Sequence, residues 1–380
     1  MLKKIKTSLS FLMLCATFSV SAQNMVKGKT IKLNLYAGIE VGSKGIKMSI
    51  LQVPRNDANS GNFTSIKDTA INTDFILFTN RSFSNTVKGL SNLYSIAANE
   101  YGVPTNKIYT VVSSGVKGQA EKENKVAMIK QLTDSFRHAI HDAEKPMPIV
   151  SVTEEAILSH LGIVPDNRRF NTFLIDIGSG NTKGGYFRNG NTRDLKLFTL
   201  NWGTKSVANA TEYRTTEDNS MANYKKQLGR VLAGDPEREI TLAVNQSGAY
   251  NMNDYFAFSG GIAWSVATLM YPELSDNPVV PFNYADLVKF NDRLTNNYES
   301  LLSKNISKLI LDNSVNKINS ANEAAKVQKV FDQKSLMAGT GLLLKIVRQF
   351  EGTQEKKQFF LVKNGQVGWI SAYVKQENTK

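Results

Sequence analysis

The sequence predicts an α/β protein of two similar lobes with a cleft between them. Three observations carry that prediction. A strand–turn–strand element built around glycine occurs near residue 40. A second element of the same local design occurs near residue 178. Each is followed by segments that alternate apolar strands with amphipathic helices. The 380 residues allow two or three domains, and 41% hydrophobic with 21% charged residues is globular composition. Such a chain is neither a disordered tail, nor collagen-like, nor a polytopic membrane protein.

Residues 1–22 read differently from the rest. Lys3, Lys4 and Lys6 form a basic start, Ser10–Val20 is an apolar run, and small Ser21 and Ala22 precede Gln23. This is the pattern of a secretory signal peptide cleaved after Ala22. A membrane anchor is the alternative, but the run falls short of the ~20 apolar residues a spanning helix needs. A lipidated Cys15 is another, but Leu14 stands where a lipid-attachment signal wants a small residue. Cys15 is the only cysteine, so the mature chain has none, which suits an oxidising compartment. The expected location is periplasmic or secreted.

The net charge is +13, less the three leader lysines after cleavage. That balance favours anionic partners such as nucleic acid, anionic lipid or polyphosphate, and equally describes a well-solvated surface. No basic run or nucleic-acid motif stands out, so no specific nucleic-acid partner is expected. His138 and His141 lie three apart on a predicted helix without a carboxylate at ligand spacing, and read as a solvated face.

The elements follow in order. Lys32–Leu51 reads as two strands joined by a tight turn at Gly42-Ser43. Residues 54–70 are polar and read as a loop. Thr86–Tyr101 carries Val87, Leu90, Leu93, Ile96 and Ala97 at helical spacing, and Gly102 and Pro104 end it. Ile108–Val112 is a strand, Lys125–Ile140 an amphipathic helix, and Pro148–Val152 another strand. Glu154–Ile163 is a short helix that Thr153 can cap. Thr172–Ile177 and Gly184–Phe187 are strands, and Leu195–Leu200 follows the Asn189-Gly190 turn. Helices are predicted at 204–210, 219–233, 262–270, 300–312 and 335–350. A strand at Tyr255–Phe258 precedes Ser259-Gly260-Gly261, and the C-terminus reads as a hairpin around Asn364-Gly365. The lobes are expected at 23–165 and 166–380.

The two glycine elements carry the chemical signal. Ile39-Glu40-Val41-Gly42-Ser43-Lys44-Gly45-Ile46-Lys47 and Ile175-Asp176-Ile177-Gly178-Ser179-Gly180-Asn181-Thr182-Lys183 share one plan. Each has an apolar strand, an acid, a glycine, a hydroxyl residue and a returning strand. Glycine lets the backbone turn sharply and expose N–H groups, which with hydroxyls can cradle phosphate oxygens. An acid at the strand end can hold a divalent cation through its water shell. Gly260 and Gly261, between a strand and a helix, form a third turn that can admit a phosphate or nucleotide at a helix start.

This three-part arrangement resembles the actin-like ATPase superfamily, with its two ribonuclease H-like lobes. Within it, the sequence is most similar to the exopolyphosphatase/guanosine pentaphosphatase (Ppx/GppA) family. Tyr109–Val116, Ser151–Gly162, Leu200–Lys205 and Leu336–Ile346 resemble further segments of that family, in the same order. The resemblance implies that Glu155 is the catalytic base and that Glu40 and Asp176 lie near a magnesium ion. It implies a phosphate cradle of Gly42, Ser43, Gly178, Ser179, Gly180, Asn181 and Thr182. It also implies polyphosphate or a nucleotide as substrate, and homodimers among short members. Three departures stand out. Glu40 replaces the family's usual Asp, Lys44-Gly45 its Asn-Ser, and Lys183 the Glu that ends the second loop. Lys44 and Lys183 can therefore stand in for the metal as fixed cations against phosphate, or mark a broken metal site.

The expected function is an exported phosphohydrolase that releases terminal phosphate. A non-catalytic polyphosphate- or nucleotide-binding protein is the alternative. A filament of actin type is a third reading, disfavoured by export away from nucleotide.

Overall fold

A computed structural model describes residues 34–53, 64–310, 317–351, 356–363, 365 and 368–378. The leader sequence lies outside the described residues. The first lobe holds β1 (Asn34–Val41), β2 (Gly45–Val53), β3 (Thr64–Asn72), α1 (Asn80–Ser95), β4 (Ile108–Val112), α2 (Ser114–Lys122), α3 (Val126–Ala139) and α4 (Val152–Ile163). The second holds β5 (Thr172–Ile177), β6 (Thr182–Phe187), β7 (Leu195–Leu200), α5 (Thr204–Tyr213), α6 (Met221–Leu232), α7 (Asp235–Ser247), α8 (Ala249–Met252) and β8 (Tyr255–Ser259). It continues through α9 (Gly261–Met270), β9 (Val279–Phe282), α10 (Tyr284–Asn296), α11 (Ser303–Ile306), α12 (Lys317–Val330), α13 (Gln333–Phe350) and β10 (Gln358–Val362). The last helix is α14 (Gly368–Asn378).

The sheets repeat one topology. The first runs β3-β2-β1-β4 and the second begins β7-β6-β5-β8 before continuing to β10 and β9. In each, three antiparallel strands precede a parallel crossover strand, β4 beside β1 and β8 beside β5. The sequence expectation of two similar lobes therefore holds.

Each sheet buries both faces. Ala37, Ile39 and Val41 pack with Leu90, Leu93, Leu132 and Phe136 of α1 and α3. The alternate residues of that sheet, with Tyr36, Leu51 and Val111, pack on Leu158 of α4 and Trp369 and Ile370 of α14. In the second lobe Phe173, Ile175 and Ile177 face the large core with α5, α9 and α13. Leu174, Ala257 and Val362 face the other way, onto Ile163 and Val164 at the end of α4. So α4 and α14 form a layer between the two sheets. A helix apolar on more than one side, as Val152–Ile163 is, suits that place. The two helices cross closely: a side chain on Gly162 would meet the Gly368 carbonyl.

Five local expectations are corrected. The C-terminal hairpin is instead β10 followed by α14, because Trp369, Ile370, Ala372 and Tyr373 sit at helical spacing and bury together. Residues 64–70, expected in a loop, belong to β3, an edge strand whose polar residues face water. The predicted strand at 148–152 shrinks to a single bridge, Ile149 beside Val112. Pro148 denies it a ladder donor. Ser151, not Thr153, caps α4: its hydroxyl accepts from the Glu154 N–H while the Glu154 carboxylate accepts from the Ser151 N–H. The helix expected at 300–312 is broken into short turns around α11. The sequence reading also passed over α2, α7, α8, α10, α12 and β9. No helix among the described residues is long and apolar enough to cross a membrane.

Candidate active site at the lobe interface

Both glycine elements fold as the same tight turn. The Gly42 N–H donates to the Gly45 carbonyl at 2.8 Å, and the Gly178 N–H to the Asn181 carbonyl at 2.9 Å. The flanking segments dock in parallel ways. The Lys44 carbonyl accepts from the Thr73 and Asp74 N–H groups at 3.2 and 3.1 Å. The Ser179 carbonyl accepts from the Lys205 and Ser206 N–H groups at 2.7 and 3.2 Å, satisfying the otherwise orphan donors that begin α5.

The turns meet across the interface. A Cβ placed on Gly180 would lie 3.0 Å from the Ser43 hydroxyl oxygen. One placed on Gly115, at the start of α2, would lie 3.2 Å from that oxygen and 3.4 Å from Asn181 Oδ1. Ser43, Gly115, Gly180 and Asn181 thus share one point. Thr182 is fully buried and donates to the Trp202 carbonyl at 2.7 Å. Gly260 takes φ +95°, and a side chain there would strike the Ile177 carbonyl at 2.3 Å, so only glycine fits. Gly261 starts α9 beneath the Phe331 ring.

Glu40 and Asp176 sit on the sheet faces that look toward the α4 layer, and Glu155 sits on α4 itself. Glu155 lies in the first turn of α4 and is nearly buried. Its Oε2 accepts from the Ser114 N–H at 3.1 Å and the Ser114 hydroxyl at 2.6 Å. Asp176 ends β5, and its Oδ1 accepts from the Ser259 hydroxyl at 2.9 Å. Glu40 is half-buried and shares a small cavity with Ser113, Val111, Glu155 and Trp369. Burial raises the Glu40 carboxyl above its ordinary value; the Glu155 and Asp176 charges add to that, while Lys47 and Lys183 oppose it.

Lys183 is placed among these acids. Its ammonium lies 2.7 Å from Glu155 Oε1 and 3.1 Å from Asp176 Oδ2, and the side chain is 5% exposed. Burial alone would lower its pKa, but Glu155, Asp176 and Glu40 together push it up, so it is charged at every relevant pH. The sequence reading puts a divalent cation at Glu40 and Asp176, with Glu155 nearby as the base. The residues present do not fit it: both Asp176 oxygens are already taken by Lys183 and Ser259, the Lys183 ammonium supplies the positive charge beside Glu155, and burial favours the uncharged form of Glu40. Among the described residues, no group of three or more His, Cys, Asp and Glu side chains is arranged to hold a metal.

Two more lysines cross the interface. Lys44 donates to the Val330 carbonyl and stands 4.9 Å from the centre of the Phe331 ring. Burial lowers its pKa, Lys205 lowers it further, and no ion pair of Lys44 occurs among the described residues. Lys205, in the first turn of α5, pairs with Asp74 of the first lobe. Sequence reasoning missed Ser114, Asp74, Lys205 and Phe331 as interface residues. Ser114 carried a signal, as one of two hydroxyl residues that follow β4; the others have none before the lobes are assembled.

The two-lobed fold is the one seen in solved Ppx/GppA-type structures. Solved structures show the likeness. A Ppx/GppA protein from Aquifex aeolicus matches at TM-score 0.59 and 16% identity, over 91% of this chain and 99% of that one. An exopolyphosphatase-like protein matches at TM-score 0.59 and 14% identity, over 90% of this chain and 97% of that one. An exopolyphosphatase from Cytophaga hutchinsonii matches at TM-score 0.53 and 10% identity, over 89% and 97%. No protein-family model and no curated protein sequence matches the chain.

Proposed function

We propose that this chain is a phosphohydrolase that releases terminal phosphate from inorganic polyphosphate or a nucleotide polyphosphate. The observation that carries the reading is the position of Glu155. Through Ser114 and Gly115 it adjoins the point where the two glycine turns meet. The N–H groups of the turns, with Ser43, Ser179 and Asn181, hold the terminal phosphoryl oxygens. Glu155 orients a water and takes its proton as the water oxygen bonds to phosphorus. The bridging P–O bond breaks, and the shortened chain leaves with the electron pair. In this reading Lys44 and Lys205, which line the same interface, neutralise that leaving chain. We further propose export, with residues 1–22 removed; N-terminal sequencing of the protein from its native host tests that part.

The test is phosphate release from polyphosphate by the wild type and E155Q. Loss of a general base removes about 10²- to 10⁴-fold of the rate. One observation favours a second reading, a receptor that binds without turnover: Glu155 already accepts three hydrogen bonds. Tight polyphosphate binding with no release by the wild type would select it.

A further inference from the structure

We propose that Lys183 is a tethered cation in the position a divalent ion would take, so that this cleft neither needs nor binds such an ion. The two glycine elements carry a lysine at the same register, Lys47 opposite Glu40 and Lys183 opposite Asp176. Lys47 points to solvent, and no salt bridge of it to Glu40 occurs among the described residues. Lys183 is buried, because α4 delivers Glu155 to a point 2.7 Å from its ammonium. The second element alone has become an ion-paired centre.

Magnesium needs six oxygen ligands in near-ideal octahedral order. Here the ammonium already holds an oxygen of Asp176, an expected ligand, and one of Glu155 beside it, and their remaining oxygens serve Ser259 and Ser114. An incoming ion would have to expel a buried lysine from both its anions. It would also leave that lysine unpaired. A covalently attached charge faces no such competition and cannot be stripped by a chelator.

This inference does not require turnover, so its test reads metal binding. Manganese is titrated into the full-length protein and its free-ion paramagnetic resonance signal followed, alongside the melting temperature with manganese or with EDTA. The wild type is expected to leave the manganese signal undiminished and to melt at one temperature throughout. K183E and K183Q are expected to bind manganese at least about tenfold more tightly than wild type, and manganese is expected to raise their melting temperature. Stoichiometric manganese binding by the wild type, lost in D176N, overturns the proposal. So do folded K183E and K183Q that bind no better than wild type. If neither variant folds, the wild-type titration decides alone. Absence of phosphate release counts against hydrolysis and leaves this result standing.

Discussion

Lys183 and Asp176 are register partners on neighbouring antiparallel strands, and their charged ends meet at 3.1 Å in a nearly dry site. With Glu155 at 2.7 Å, the lysine balances two acids drawn from different parts of the chain. Removing one member of such a buried group leaves the others uncompensated, which typically costs about 3–5 kcal/mol. K183M is expected to lose about that much stability in urea denaturation. The double variant with D176N is expected to lose less than the sum of the two singles, because they share one interaction. A K183M loss under about 1 kcal/mol would contradict the described pairing.

Glu40 is held above its ordinary value of 4.5 by burial, with neighbouring acids adding to it. The folded state therefore binds its proton more tightly than the unfolded chain does. Its contribution to stability is full below pH 4.5 and is lost as pH rises through the raised value. E40Q removes that loss. The variant is expected to melt higher than wild type at pH 8, with the gap closing below pH 4.5. A gap constant across pH would show that the carboxyl does not titrate in this way.

His160 works with the opposite sign. Its ring is fully buried against Phe187, and Nε2–H donates to the Thr172 carbonyl at 3.0 Å while Nδ1 finds no partner among the described residues. A second proton would sit on that unpartnered nitrogen, so burial lowers the pKa from 6.5 to about 4. The unfolded chain takes up this proton first. Stability is expected to fall by about 3 kcal/mol as pH drops from 6.5 to 4. Chemical denaturation at several pH values, compared with H160Q, isolates the effect. Parallel pH profiles in the two proteins would refute it.

The crossing of α4 and α14 leaves no room for a methyl group. A Cβ on Gly162 would lie 1.7 Å from the Gly368 carbonyl oxygen. The helices cannot both keep their places in G162A. The expected loss is about 1–3 kcal/mol or more. Amide exchange should rise in 368–378 before it rises in the β5–β8 core. Unchanged exchange in the last helix would mean that the crossing relaxes without separating.

The sequence by itself determined the plan of the lobes. Glycine turns, alternating strands and helical spacing are local, so β5 and β7 lie where periodicity put them, α3, α4 and α13 begin or end within a few residues of it, and α1 begins six residues before it. Short apolar runs were not decided locally. Trp369–Val374 fits a strand or a helix by pattern, and it is a helix because Ile370 packs against bare Gly38 on β1. The acids and lysines were legible as types at a repeated spacing, which fixes their register partners. Their pairing was not. Lys47 and Lys183 are equivalent in sequence, yet one is solvated and the other buried, because Glu155 arrives on a helix that only the assembled sheets bring there. Register is a property of neighbouring strands. A counter-charge depends on what the rest of the chain packs above them.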